Sequence, residues 1–301
     1  MEEGGKTSIA DVPVEILTYI LQYATEGNAA TLKVTQCVCT LWRATAPKSA
    51  PKDIYAYTAG AAELGSLSVL QWLRSKRFPW NRDKITASAA EGGQLELLKW
   101  LLRQTGIALN QATFSGAAKG GHIELLKWLK DNGCTWDRNS SAMAARGGHL
   151  EVLKWLKDNG CWATGTILVH AAYGGNMETL KWLRQQGYAW DAHVCSTAAS
   201  RGNLELLKWL RENNCPWDET VCMEAARAGH LRVLKWAREK GCPWNAKVCT
   251  YAAMEGHFEM LKWLRYNSCP WDLQTYHHLK QRGGDDKMLQ WALENGCPTP
   301  K

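Results

Sequence analysis

From residue 54 onward the chain repeats one hydrophobic pattern. Its clearest copy is His149-Leu-Glu-Val-Leu-Lys-Trp-Leu156. Apolar residues stand at 150, 152, 153, 155 and 156, while Glu151, Lys154, Lys157 and Asp158 mark a polar stripe. That spacing covers most of a helix circumference, which suits a helix held between neighbours on two sides. A Trp marks each copy, at Trp72, Trp100, Trp128, Trp155, Trp182, Trp209, Trp236, Trp263 and Trp291, with every step 27 or 28 residues. A fixed step of this kind means an array of one supersecondary unit.

A second helix is predicted upstream in each unit. An Ala pair ends ten residues before each Trp, from Ala61-Ala62 to Ala252-Ala253. Its small side chains let neighbouring helices approach closely. Three residues later comes Gly, from Gly65 to Gly256, a break between helices at a position with positive φ. The residue after it (His122, Asn176, His230 and their equivalents) is a candidate cap for the helix that follows. The expected fold class is all-α, a solenoid of helix–turn–helix repeats, in which stability accumulates from neighbour interfaces. The last unit carries Lys280-Gln281 in place of the Ala pair and Gly283-Gly284-Asp285-Asp286 after it, so it reads as an end cap.

The run Ala-Ala-x-x-Gly-His-Leu-Glu-Val-Leu-Lys, best at 117–127, 144–154 and 225–235, resembles the heart of the ankyrin repeat. The resemblance covers roughly residues 54–298, about eight repeats and the degenerate cap. It departs from the family in length, since ankyrin repeats normally run to about 33 residues. The Thr-Pro-Leu-His opening is also replaced, by segments such as Val221-Cys-Met-Glu224. Short, Trp-rich repeats of this style resemble those of giant viruses and some protists. With the hairpin finger shortened, the helix surface becomes the candidate binding face.

Residues 8–46 differ. Val12-Pro13, Glu15-Ile16-Leu17, Ile20-Leu21, Val38-Cys39 and Trp42-Arg43 follow one another on two candidate helices. This resembles an F-box, with a link between its halves about three residues longer than usual. The resemblance implies that Val12, Pro13, Ile16, Leu17, Ile20, Leu21, Val38 and Trp42 dock on a Skp-type adaptor and the cullin ligase core. The plain structural alternative is a helical cap on the repeats. Residues 47–53, with Pro47 and Pro51, read as a linker.

Composition narrows the chemistry. The first ten residues hold no apolar core like that of a signal peptide, and no run reaches the ~18 apolar residues of a membrane span. Eleven Cys is an odd count, which argues against a fully paired secreted framework. An intracellular, reducing location with free thiols is expected, cytoplasmic or nuclear, or the host cytoplasm if the chain is viral. Cys134, Cys161, Cys215, Cys242, Cys269 and Cys297 share their slot with Phe78 and Tyr188, so the slot reads as apolar packing; Cys195, Cys222 and Cys249 form a second ladder. No nucleophile–base pair, phosphate loop or recurrent metal spacing is present, so no enzyme activity, cofactor or metal is expected. A second Trp series, Trp80, Trp136, Trp190, Trp217, Trp244 and Trp271, closes each unit, either as a lid over the next unit or as stacking platforms for a peptide or single strand.

A repeat protein reads its partner with positions its own fold leaves free. Here these are the two residues after the Ala pair, which in ankyrin-like frames lie on the concave helix surface. Lys119, Arg146, Tyr173, Arg201, Arg227 and Met254 are the candidate partner-binding residues, with acidic Glu63 and Glu91 nearer the N-terminus. They predict a protein partner with an acidic or extended face. The net charge of +7 is modest and disfavours nucleic acid. The expected function is a protein–protein interaction module recruiting substrate to a Skp–cullin–F-box ubiquitin ligase. The alternatives are an ankyrin-type scaffold with no ligase link and a nucleic-acid-binding solenoid.

Overall fold

The computed structural model describes residues 56–75, 80–161, 165–281 and 286–300. The F-box-like residues Val12 to Trp42 lie outside them. Every element among the described residues is a helix, in pairs that follow the Trp register. The pairs are α1 (Ala56–Glu63) with α2 (Leu67–Ser75), α3 (Arg82–Glu91) with α4 (Leu95–Thr105), and α5 (Gln111–Gly120) with α6 (Ile123–Asp131). Next come α7 (Arg138–Gly147) with α8 (Leu150–Asp158), α9 (Ile167–Gly174) with α10 (Met177–Gln185), and α11 (Ala192–Ser200) with α12 (Leu204–Glu212). The last are α13 (Glu219–Arg227) with α14 (Leu231–Glu239), α15 (Ala246–Glu255) with α16 (Phe258–Tyr266), and α17 (Leu273–Gln281) with α18 (Asp286–Glu294).

The described residues fall into two compact units: 56–144 with 151–161, and 145–150 with 165–300. In the first, α1 packs on α3 and α3 on α5. In the second, α9, α11, α13, α15 and α17 pack each on the next. Both use the same device. The Ala pairs are buried, and those of α3, α5, α9, α11, α13 and α15 have no exposed surface at all, so first helices meet along a strip with almost no side chain. The second helices add Leu97-Leu98, Leu125-Leu126, Leu206-Leu207 and Met260-Leu261, all buried.

Local chemistry closes each repeat. The residue after the second-series Trp caps the next first helix: the side chains of Asn81, Asp191, Asp218 and Asn245 each accept a backbone N–H of the first turn, as does that of Asn110, which follows Leu109. The Gly after the Ala pair takes positive φ from Gly65 (71°) to Gly256 (80°), as its place in the sequence predicts.

The residue after that Gly does something other than the predicted capping. Of Gln94, His122, Asn176, Asn203, His230 and His257, Asn203 alone accepts from its own helix, at Leu206 N. Gln94 and Asn176 instead donate to carbonyls of Glu63 and of Ala145 and Arg146, at 3.0 to 3.2 Å. The Nε2 atoms of His122, His230 and His257 lie 2.8, 3.2 and 3.2 Å from the carbonyls of Glu91, Ser200 and Arg227. These are last-turn carbonyls of the preceding first helix, which lack intrahelical donors. The side chain therefore ties one repeat to the one before it.

Candidate interaction surface

The two residues after each Ala pair end the first helix and face out of the packed strip. In the first unit these places hold Glu63, Glu91 and Lys119. The Lys119 ammonium and the Glu91 carboxylate form an ion pair, and both side chains are about one-third exposed. Burial raises the Glu63 carboxyl above its ordinary value, with help from the Glu91 charge and against the pull of Lys119. Charge on this unit is thus largely answered within it.

The second unit presents another surface. Tyr173, 37% exposed at the end of α9, carries the Arg146 guanidinium 4.1 Å from its ring centroid and the Arg201 guanidinium 4.5 Å from it. Arg146 comes from one repeat before Tyr173 and Arg201 from one repeat after, so one ring gathers cations from both neighbouring repeats. Such contacts contribute about 0.5–1 kcal/mol each at exposed sites. The two guanidinium carbons are at most 8.6 Å apart through the ring. Their repulsion at that distance is about 0.5 kcal/mol in bulk water and about 2 kcal/mol at an effective dielectric of 20. None of the ion pairs among the described residues includes Arg146 or Arg201. His170, one turn before Tyr173, is held below its ordinary pKa by burial and then by the Arg146 charge.

Of the other sequence-predicted positions, Arg227 is exposed and bonded to Glu224 at 3.2 Å, and Met254 is half-buried. Within the second unit the structure therefore brings Arg146, Tyr173 and Arg201 into one cluster, with Arg227 tied to an acid of its own helix. Lys119 belongs to the first unit. The F-box-like positions Val12, Pro13, Ile16, Leu17, Ile20, Leu21, Val38 and Trp42 lie outside the described residues.

The second Trp series has its surroundings filled. Trp190, Trp217, Trp244 and Trp271 stand edge to face against Trp209, Trp236, Trp263 and Trp291 of the next repeat, at 5.8 to 6.2 Å. The guanidiniums of Arg184, Arg211, Arg238 and Arg265 lie 4.2 to 4.8 Å from the same four rings. Arg184 and Arg238 also donate to the carbonyls of Tyr188 and Cys242, at 2.7 and 3.2 Å, and Arg211 donates to that of Cys215. This is the geometry of a loop clasp, the lid reading of the series.

The cysteines are packed as the slot argument predicts. All nine among the described residues are free and buried. Burial pushes the Cys134 and Cys297 thiols up to about 11, which leaves them protonated at neutral pH. Comparing positions only along each ladder misses one contact. The two ladders meet within a repeat, pairing Cys195 with Cys215, Cys222 with Cys242 and Cys249 with Cys269. Hydrogen bonding within each pair, then burial, raises Cys215, Cys242 and Cys249. The recurring separation of 20 residues between the ladders was the available signal. Among the described residues no group of three or more His, Cys, Asp or Glu is placed to hold a metal ion, and no helix is long and apolar enough to cross a membrane.

Comparison with known proteins agrees with the repeat register. A model described as ankyrin repeats (3 copies) matches residues 114–194, and a second, ankyrin repeats (many copies), matches 195–238 and 222–265. No curated protein matches the chain. Among solved structures, the human ASB11 ankyrin repeat domain is 19% identical, with a TM-score of 0.45, over 62% of this chain and 99% of that one. The two family matches run without a gap from 114 to 265, just over half of the chain, and on them it belongs to the ankyrin-repeat proteins.

Proposed function

We propose that this chain is a substrate-recruiting subunit of a Skp–cullin–F-box ubiquitin ligase, working inside the cell and catalysing nothing itself. Ankyrin repeats are protein-interaction modules, and neither matching family model is a catalytic one. The observation that carries the ligase link is the F-box resemblance of residues 8–46, where Pro13, Ile16, Leu17, Ile20 and Leu21 stand in the order that family uses to dock an adaptor. The recruiting surface is the helix-end strip around Arg146, Tyr173, Arg201, Arg227 and Met254, with Lys119 as its first-unit counterpart. Its partner is a protein with an acidic or extended face. In this reading residues 54–298 hold the target and residues 47–53 join them to the docking segment.

The test is a pull-down with a purified Skp-type adaptor, comparing the full chain with a Pro13→Ala/Ile16→Ala/Leu17→Ala variant. Capture by the intact chain and its loss in the variant, at unchanged helicity, is the expected result. No capture by the intact chain would leave a repeat scaffold capped by its first helices.

A further inference from the structure

We infer that Arg146 and Arg201, both held against the ring of Tyr173, form a clamp for two carboxylates two residues apart in an extended peptide segment. This deepens the recruiting surface proposed above and rests on that reading for its biological partner. The ring fixes what are otherwise two long, mobile side chains. Guanidiniums held at 4.1 and 4.5 Å from one centroid lie within 8.6 Å of each other, yet come from the repeats before and after the one that carries Tyr173. A guanidinium seated on a ring keeps its N–H edge available for an acceptor, and each such fork matches a carboxylate with two parallel hydrogen bonds.

Charge complementarity fixes the sign of the occupant. The equivalent cation in the first unit, Lys119, has Glu91 as its partner, and Arg227 has Glu224. No carboxylate among the described residues answers Arg146 or Arg201, so an acidic ligand relieves the repulsion between them. Spacing fixes its form. An extended chain rises 3.2–3.4 Å per residue with alternate side chains on one face, so acids at i and i+2 stand about 7 Å apart on the same side. That falls inside the 8.6 Å limit. Adjacent acids point to opposite faces and engage one fork only.

The test titrates the full chain at about 50 mM salt, where such contacts are least screened, into fluorescein-labelled nine-residue peptides followed by anisotropy. One peptide carries Glu-Ser-Glu at its centre, one the same residues as Ser-Glu-Glu, and one a single phosphoserine flanked by serines. The Glu-Ser-Glu peptide is expected to bind about fivefold tighter than its isomer. Arg146→Gln and Arg201→Gln each weaken it about tenfold, the size of one charge-assisted fork. Tyr173→Ala weakens it although both arginines remain, Tyr173→Phe does not, and Lys208→Gln, on the second helix α12 and paired with Glu205, has no effect. As a readout free of mutants, the Nε–Hε resonances of Arg146 and Arg201 in the wild-type chain shift on addition of Glu-Ser-Glu. Equal binding of the two isomers, unshifted arginine resonances, or unchanged affinity in both Arg→Gln variants overturns the clamp. Tighter binding of the phosphoserine peptide overturns the carboxylate pair as its occupant. No adaptor takes part, so these outcomes are independent of the pull-down on residues 8–46.

Discussion

The two units share one frame and carry opposite solutions at the same register. At the end of their first helices, one places Glu63, Glu91 and Lys119, where acid and base meet. The other places Arg146, Tyr173 and Arg201, where two cations share an aromatic ring without an acid. The Ala strip, the positive-φ Gly and a buried Leu two residues before the helix Trp (Leu98, Leu126, Leu180, Leu207) are the same in both. A repeat that spends its buried positions on fit leaves its helix ends free to differ, and the difference there decides what each unit can bind.

The frame itself offers the largest effect. Leu98 in the first unit and Leu207 in the second are fully buried. Replacing either by Ala is expected to cost about 2–5 kcal/mol, as core truncations do. Urea unfolding should return similar losses for both; a loss confined to one unit breaks the claim of a common frame.

Charge reversal at the helix ends comes next. Arg146→Glu with Arg201→Glu is expected to weaken capture of an acidic partner by about 100-fold, two lost forks at about tenfold each. Lys119→Glu weakens it less, because that cation already has the Glu91 carboxylate as its partner. Equal sensitivity at Lys119 would erase the contrast between the units.

Titration separates the units in sign. His170 has a folded pKa below its ordinary 6.5 through burial and then Arg146, so its contribution is fully present above pH 6.5 and is lost as pH falls through the lowered value. The advantage of wild type over His170→Gln in Tm should therefore shrink from pH 7.5 to 5.5. Glu63 has a folded pKa above its ordinary 4.5, chiefly through burial, so its contribution is present below pH 4.5 and lost as pH rises. Glu63→Gln should gain in Tm over wild type between pH 4 and 6. Parallel slopes for the two variants contradict the assignment.

The smallest expected effect is that of the Lys119–Glu91 pair. Its side chains are about one-third exposed, and a double-mutant cycle to Gln and Met should return less than about 1 kcal/mol. A larger coupling would mean that this ion pair helps hold α3 to α5, a task the Ala strip is sufficient to perform.

Much of this was legible beforehand. The Trp step marked the helix pairs, the Ala pairs marked the contact between first helices, and Gly65 to Gly256 marked the left-handed turns. The residues after the Ala pair were readable as variable, but their grouping was not. Sequence alone placed Lys119, Arg146, Tyr173, Arg201, Arg227 and Met254 in one strip; the structure couples three of them and ties Arg227 to Glu224. The histidines after Gly were readable as helix-entry residues, while their bonds to the preceding repeat depend on where that repeat's carbonyls end.

Periodicity in the chain determined the all-helical repeat by itself, because burial of a helix face is a local property that recurs with the residues that cause it. Tertiary structure alone decided the partners of the long polar side chains. An Arg spans several ångströms and can reach an acid on its own helix, a carbonyl four residues on, or a ring one repeat away. Which of these it meets is fixed by the stacking of helices: Arg227 finds Glu224, Arg238 finds Cys242 O, and Arg146 finds Tyr173.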